Sequence, residues 1–176
     1  PKFEADIVRS LGIIFSEGHL EKGEKPVHWC QESGSSLAEA EVEYIDRTSK
    51  AIDVAFKVDN PCLKKVKDLF DIEDIDEIAF VIWTTTPWTI PSNVAVCINP
   101  EYKYSLIKMN NKFYVIAFEM IDQCSKRWKQ KFDVISTIEG KKLNDIDLTH
   151  PFLDRKSVVL HADHVTTETG TGCVHT

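Results

Sequence analysis

The sequence predicts an α+β fold in which many short strands build a β-barrel-like sheet with peripheral helices. Three observations carry this expectation. Ile78, Ala79, Phe80, Val81 and Ile82 form an apolar, β-branched run of strand length. Asn110-Asn111 separates apolar segments at 104–109 and 112–117 and reads as a hairpin turn. After Asn60-Pro61, the residues Leu63, Val66, Leu69 and Phe70 recur on one helical face, with lysines on the other.

In chain order, residues 5–11 with Ile13 and Ile14 have helical spacing and lead into a connector punctuated by Gly12, Gly18 and Gly23. Residues 39–44 alternate acidic and apolar side chains, which predicts a half-exposed strand. Residues 52–56 predict another. Asn60 is the expected cap of the following helix, with Pro61 in its first turn. Residues 78–82 and 94–98 read as buried strands, 118–128 as a helix, and 132–138 and 157–160 as strands. Gly170 and Gly172 permit a close backbone approach just before His175. There is no internal repeat and no low-complexity segment.

A chain of 176 residues with 43% hydrophobic and 28% charged residues describes one globular domain, or one with an extension. No apolar run reaches the length of a membrane span, and the acid-containing start Pro1 to Arg9 does not resemble a signal peptide. Five cysteines without paired spacing predict reduced thiols and a cytoplasmic setting, with no membrane partner. There is no C-x-x-C and no H-x-x-x-H, so no metal site is expected, and no cofactor. A net charge of −7 argues against nonspecific gripping of a phosphate backbone.

The most informative stretch is Trp83-Thr84-Thr85-Thr86-Pro87-Trp88-Thr89-Ile90-Pro91-Ser92-Asn93. A core strand ends in three threonines, and two prolines then take the backbone out of regular pairing. By composition the threonines read as an ordinary sheet edge. The alternative is a small polar pocket, with hydroxyls, two indoles and an amide held on a stiff turn.

The order of residues favours the pocket, because this stretch resembles the editing-domain motif of isoleucyl-tRNA synthetases. The segments Lys25-Pro26-Val27-His28-Trp29-Cys30, Ser36 to Tyr44, His150-Pro151-Phe152, His164-Val165-Thr166 and Gly170 to Thr176 resemble further motifs of that family. The resemblance runs over nearly the whole chain. It implies a β-barrel-like editing domain (connective polypeptide 1) inserted into a class I synthetase. Residues 1–45 would be a connector and stem from the insertion point, and 46–176 the editing core, truncated within its C-terminal motif. The HIGH and KMSKS motifs of the aminoacylation site are absent, as is a G-x-x-x-x-G-K-[ST] phosphate loop. Some members carry a second cysteine three residues after the one at Cys30. Ser33 stands there in this sequence, which does not favour a zinc knuckle.

One methylene in an apolar pocket is worth only ~1–3 kcal/mol, too little to separate isoleucine from valine. The isoleucine enzyme is itself the usual example of this limit, and the figure is the general one. The resemblance therefore implies hydrolysis of the valyl ester on the 3′-terminal adenosine of tRNA(Ile). An oriented water would attack, without a metal or an acyl-enzyme. The implied partners are that adenosine, the valine moiety and the rest of the parent synthetase in cis. Thr84, Thr85 and Thr86 would supply hydroxyls and backbone N–H groups. Thr89, Asn93, Trp88 and Gly172 would contact the substrate. His175 would act as a steric and hydrogen-bonding wall, or else as a general base.

In the family the motif at 174–176 continues as APGHGxDD, whose acid is expected to hold the substrate's α-ammonium. No acid of this sequence matches it, so the chain by itself is expected to be weakly active or inactive. Asp163 and Glu168 are near in sequence but do not align. Two alternatives stand beside the main reading. One is the editing domain of a valyl- or leucyl-tRNA synthetase, which typically carries Arg where Thr86 stands. The other is a non-catalytic module that binds the tRNA 3′ end. The remaining histidines, His19, His28, His150, His161 and His164, read as surface or loop residues.

Overall fold

A computed structural model describes residues 1–176. The chain forms two compact units, Pro1–Arg47 and Thr48–Thr176.

The first unit opens with helix α1 (Lys2–Ser16), none of whose residues is buried. Strands β1 (His28–Cys30) and β2 (Ser35–Leu37) pair antiparallel as a small hairpin. Its bend is held by Gly34 N–H donating to Cys30 O at 2.9 Å. The strand expected at 39–44 does not form. A single 3-10 turn occupies Glu39–Glu41, and the Glu41 carboxylate accepts from the Ala38 N–H at 2.7 Å. A strand needs a partner ladder for its polar groups. No strand pairs with this segment. A local side-chain bond therefore takes over.

The second unit runs β3 (Ile52–Val58), α2 (Asn60–Phe70), β4 (Ile78–Thr84), a 3-10 turn (Pro87–Ser92), β5 (Ala95–Ile98), β6 (Lys103–Met109) and β7 (Lys112–Ala117). It continues with a 3-10 turn (Phe118–Met120), α3 (Ile121–Trp128), β8 (Asp133–Glu139), β9 (Ile146–Thr149), β10 (Lys156–His161) and β11 (Cys173–His175). The β strands join in one nine-stranded sheet in the order β11-β5-β10-β9-β3-β4-β7-β6-β8. Two neighbouring pairs are parallel, β10 with β5 and β4 with β7, and the other pairs are antiparallel.

The α+β class is as expected, but the barrel does not close. The strand order has two free ends, β11 and β8, with no ladder between them. The sheet coils instead. The Ala117 N–H at the end of β7 donates to Thr171 O at 2.8 Å, and the Tyr104 hydroxyl of β6 donates to Gly172 O at 2.7 Å. The segment entering edge strand β11 is thus bound to strands far from it in sheet order.

Gly172 is what permits this approach. Its φ is +76°, and a Cβ there would lie 2.2 Å from the Cβ of Ala117. The Tyr104 ring is fully buried, and its hydroxyl also accepts from the Asn99 N–H at 3.0 Å. Burial pushes that hydroxyl's pKa up, so it stays protonated and can donate.

Most predicted elements stand where their pattern put them. The hairpin turns through Asn110 and Asn111, both left-handed at φ +50° and +59°, as a tight two-residue turn demands. On α2, Val66 and Phe70 are buried, and Leu63 and Leu69 pack against the core. The cap is Asp59 rather than Asn60, with its carboxylate accepting from the Asn60 N–H at 3.0 Å. A carboxylate accepts strongly at this end of a helix. The central strand β4 is buried through Ile82 and again at Thr84.

Candidate functional site

Strand β4 delivers Thr84 to the end of the sheet, where the chain bends through Thr85 and Thr86 into the proline-bounded 3-10 turn. The hydroxyls there form a connected series. Thr84 Oγ1 accepts from the Thr86 N–H at 3.1 Å and lies 3.1 Å from Thr86 Oγ1. Thr86 Oγ1 lies 3.5 Å from Thr89 Oγ1. Thr89 Oγ1 donates to Thr86 O at 2.7 Å and sits 3.2 Å from His175 Nε2.

The tautomer of His175 follows from this network. Thr89 has one hydroxyl hydrogen, directed at the Thr86 carbonyl, so it accepts from the imidazole. The ring proton is then on Nε2, and Nδ1 carries a lone pair. Nδ1 is sealed from solvent and has no partner in the chain. Burial lowers the His175 pKa below its ordinary value, which favours the neutral ring.

Beside this series lies a cleft of about 250 Å³. Trp83, Thr84 and Thr85 line it from β4 and its exit, and His164, Thr166, Thr169 and residues 170–174 line it from the segment that leads into β11. Thr84 belongs to both the cleft and the hydroxyl series. Thr85 is exposed at the cleft, and its hydroxyl takes no part in the series. His175 does not line the cleft. Cys173 and Val174 are the last residues of β11 to line it, and His175 adjoins the site through Thr89.

The Gly170 bend is clamped from outside. Arg127 of α3 donates through Nη2 to Gly170 O at 3.0 Å and to Asp53 Oδ1 at 2.7 Å, and through Nε to Asp53 Oδ2 at 3.1 Å. Trp128 Nε1 adds a bond to the same carboxylate at 2.8 Å. The buried thiols nearby are not nucleophiles. Burial pushes Cys124 up to about 11 and raises Cys173 further, so both stay protonated. No group of three His, Cys, Asp or Glu side chains is placed to hold a metal ion.

The structure thus brings Thr84, Thr85 and Gly172 to the cleft and joins Thr84, Thr86, Thr89 and His175 through hydroxyls. Trp88 stands apart, 72% exposed on the turn. Asn93 is 1% exposed, and its amide hydrogens go to Ala95 O at 2.7 Å and Thr176 O at 3.2 Å. In this geometry it ties the turn to β11. Sequence reasoning missed the cleft residues His164, Thr166 and Thr169, although they lie beside the Gly-Thr-Gly bend in the same motif region.

His150 lies on a loop, one of the two expectations for it, but it is not at the surface. It is 2% exposed and donates through Nε2 to Ile90 O at 2.9 Å. A Pro-Phe neighbourhood resembles a loop in sequence, but here the loop folds inward against Phe56. His161 is half-buried, with Nε2 at 3.0 Å from Gly140 O.

Residues 1–146 match the family described as tRNA synthetases class I (I, L, M and V), and the chain belongs to that family. Within it, the chain is similar to isoleucine–tRNA ligases. It is 49% identical over 98% of its length to that of Thioalkalivibrio sulfidiphilus. It is 46% identical over 99% to that of Francisella tularensis subsp. tularensis. It spans about 19% of the length of each of these relatives.

Its fold is similar to the crystal structure of GlLeuRS-CP1, with a TM-score of 0.62 at 17% identity over 72% of this chain and 54% of that one. The Plasmodium falciparum cytosolic leucyl-tRNA synthetase editing domain is also similar, with a TM-score of 0.55 at 14% identity over 71% of this chain and 60% of that one. No helix is long and apolar enough to cross a membrane.

Proposed function

We propose that this chain is the post-transfer editing domain of an isoleucyl-tRNA synthetase and hydrolyses the ester of valine mischarged on tRNA(Ile). The observation that carries this reading is the hydroxyl series from Thr84 through Thr86 and Thr89 to His175, set beside a cleft in a chain of this family. In the reaction a water oxygen bonds to the ester carbonyl carbon. The bond from that carbon to the ribose oxygen breaks, and the water's proton passes to the departing oxygen. The products are free valine and deacylated tRNA.

Each residue takes a part that its surroundings permit. The Thr85 hydroxyl is free to meet the developing oxyanion at the cleft. Thr84, Thr86 and Thr89 fix one another's hydroxyls and so orient the water and the terminal ribose. Trp88 offers an exposed indole on which the terminal adenine stacks. Gly172 keeps the backbone of the second wall close to β7, and Asn93 ties the turn to β11.

For His175 the surroundings favour a wall over a base. Nε2 is engaged by Thr89, and Nδ1 is sealed from solvent, so neither nitrogen is free to take a proton from water. Joined to the threonine turn through Thr89, the ring would back the boundary of the site that the extra methyl of isoleucine strikes. The body of the tRNA is held by the rest of the parent enzyme in cis, consistent with the net charge of −7 on this chain.

The test is to add valyl-tRNA(Ile) to the purified chain and follow loss of the ester at matched salt. Hydrolysis above the uncatalysed rate, abolished by the combined Thr85→Val and Thr86→Val substitutions, is expected. Tight binding of the tRNA end without ester loss would instead indicate a non-catalytic binding module.

A further inference from the structure

We propose that His150 is a positioning residue of the site, and that the loop joining β9 to β10 acts through it as a brace on the threonine turn. This inference rests on the editing reading for its catalytic consequence, but the brace itself is a matter of geometry. Ile90 and Pro91 lie immediately after Thr89 on the 3-10 turn. Both of their carbonyls are held by that one loop. His150 Nε2 lies 2.9 Å from Ile90 O, and Arg155 Nη2 donates to Pro91 O.

The tautomer of His150 is set by its own loop. Nδ1 accepts from the Leu153 N–H at 3.1 Å and, more weakly, from the Phe152 N–H at 3.4 Å. The ring proton is therefore on Nε2, aimed at Ile90 O. The loop closes on itself through His150 N–H to Arg155 O at 3.0 Å and Arg155 N–H to Leu153 O at 2.9 Å. The ring meets Phe56 and Phe152 edge-on, at centroid distances of 6.1 and 4.7 Å.

A buried neutral imidazole with both nitrogens engaged is a rigid link between the loop and the turn. The next residue back from its anchor point is Thr89, whose hydroxyl is 3.2 Å from His175 Nε2. A turn freed at Ile90 shifts that hydroxyl, and the series from Thr84 to His175 loses its register.

The test compares His150→Phe, which keeps an aromatic ring and loses the donor and acceptor, with His150→Gln, which restores a donor at similar reach. Val66→Ala, in α2 and remote from the site, controls for lost stability. Expected for His150→Phe is a kcat for valyl-tRNA(Ile) hydrolysis at least about tenfold lower, a transition-state loss of ~1.4 kcal/mol, with little change in KM. His150→Gln should regain part of it, and Val66→Ala should stay near wild type.

The structural readout is the ¹⁵N resonance of His175 Nε2, which should move in His150→Phe toward its value in Thr89→Val. Wild-type kcat in His150→Phe, a loss no larger than in Val66→Ala, or an unmoved His175 resonance would overturn the brace. If the wild-type sequence hydrolyses nothing even within the parent synthetase, the editing reading fails. The His175 resonance still decides the brace.

Discussion

Replacing Gly172 by Ala tests how the site is held together. The added Cβ would sit 2.2 Å from the Cβ of Ala117 and 3.4 Å from its Cα, and φ is +76°. Left-handed backbone costs an L-residue ~1–2 kcal/mol. Overpacking against a fixed neighbour costs ~1–3 kcal/mol. If the loop moves off instead, the 2.8 Å bond from the Ala117 N–H to Thr171 O is lost, at ~0.5–1.5 kcal/mol. Because moving the loop relieves the clash, the last two costs partly exclude each other. A total of ~2–5 kcal/mol is expected.

With an m-value of ~2 kcal/mol per molar in urea, the unfolding midpoint should fall by roughly 1–2.5 M. Gly170→Ala is the internal control. Its φ is +89°, but a Cβ there meets nothing nearer than Trp83 at 3.5 Å, so only the backbone strain applies. Urea unfolding of both variants, followed by tryptophan fluorescence, separates the two contributions. Equal midpoints for Gly172→Ala and Gly170→Ala would refute the close-approach argument. An unchanged midpoint for Gly172→Ala would refute the strain as well.

Three further outcomes follow from the same geometry. Thr89→Val keeps shape but takes the partner from the Thr86 carbonyl and the His175 ring proton, both within reach of water, so stability should fall by ~0.5–1.5 kcal/mol and valyl ester hydrolysis should slow in the same variant. Burial depresses the His175 pKa, so the unfolded chain binds its proton more readily than the folded one. The folded state should therefore lose stability as pH falls through the unfolded histidine value of ~6.5, and the slope of urea midpoint against pH should flatten in His175→Gln. Arg127→Met removes a part-exposed pair with Asp53 and the bond to Gly170 O, at a cost of ~1.5–3 kcal/mol. A double-mutant cycle with Asp53→Asn measures how much of that belongs to the pair.

Periodicity located most of the sheet because long elements bury one face or both. Residues 78–82 and the hairpin around Asn110-Asn111 show this, as does the apolar stripe of α2. The elements that escaped notice are short. Strand β9 has four residues and β11 three, and the β1–β2 hairpin exposes most of its side chains, so none carries enough pattern to register. The alternation at 39–44 failed for the opposite reason, since the pattern is present but nothing pairs with it. Barrel closure was not legible either. It depends on whether two edge strands meet, and no single segment records that.

At the site, the threonine motif and His175 stood out by residue order. The 3.2 Å contact through Thr89 joins residues 86 positions apart, a relation that only the fold creates. His150 looked like a loop histidine because burial of a loop depends on what it docks against.

The most direct test of the central claim is the hydrolysis of valyl-tRNA(Ile) and isoleucyl-tRNA(Ile) by the parent synthetase, wild type and His175→Ala, under single-turnover conditions. The wild type should cleave the valyl ester and spare the isoleucyl ester. His175→Ala should cleave both, raising the isoleucyl rate by about 10–200-fold, the range one methylene commands in an apolar pocket. Ester loss no faster than the uncatalysed rate with the wild type would contradict the proposed function. Loss of both activities in His175→Ala, with the fold intact, would make His175 a catalytic residue and contradict its role as a wall.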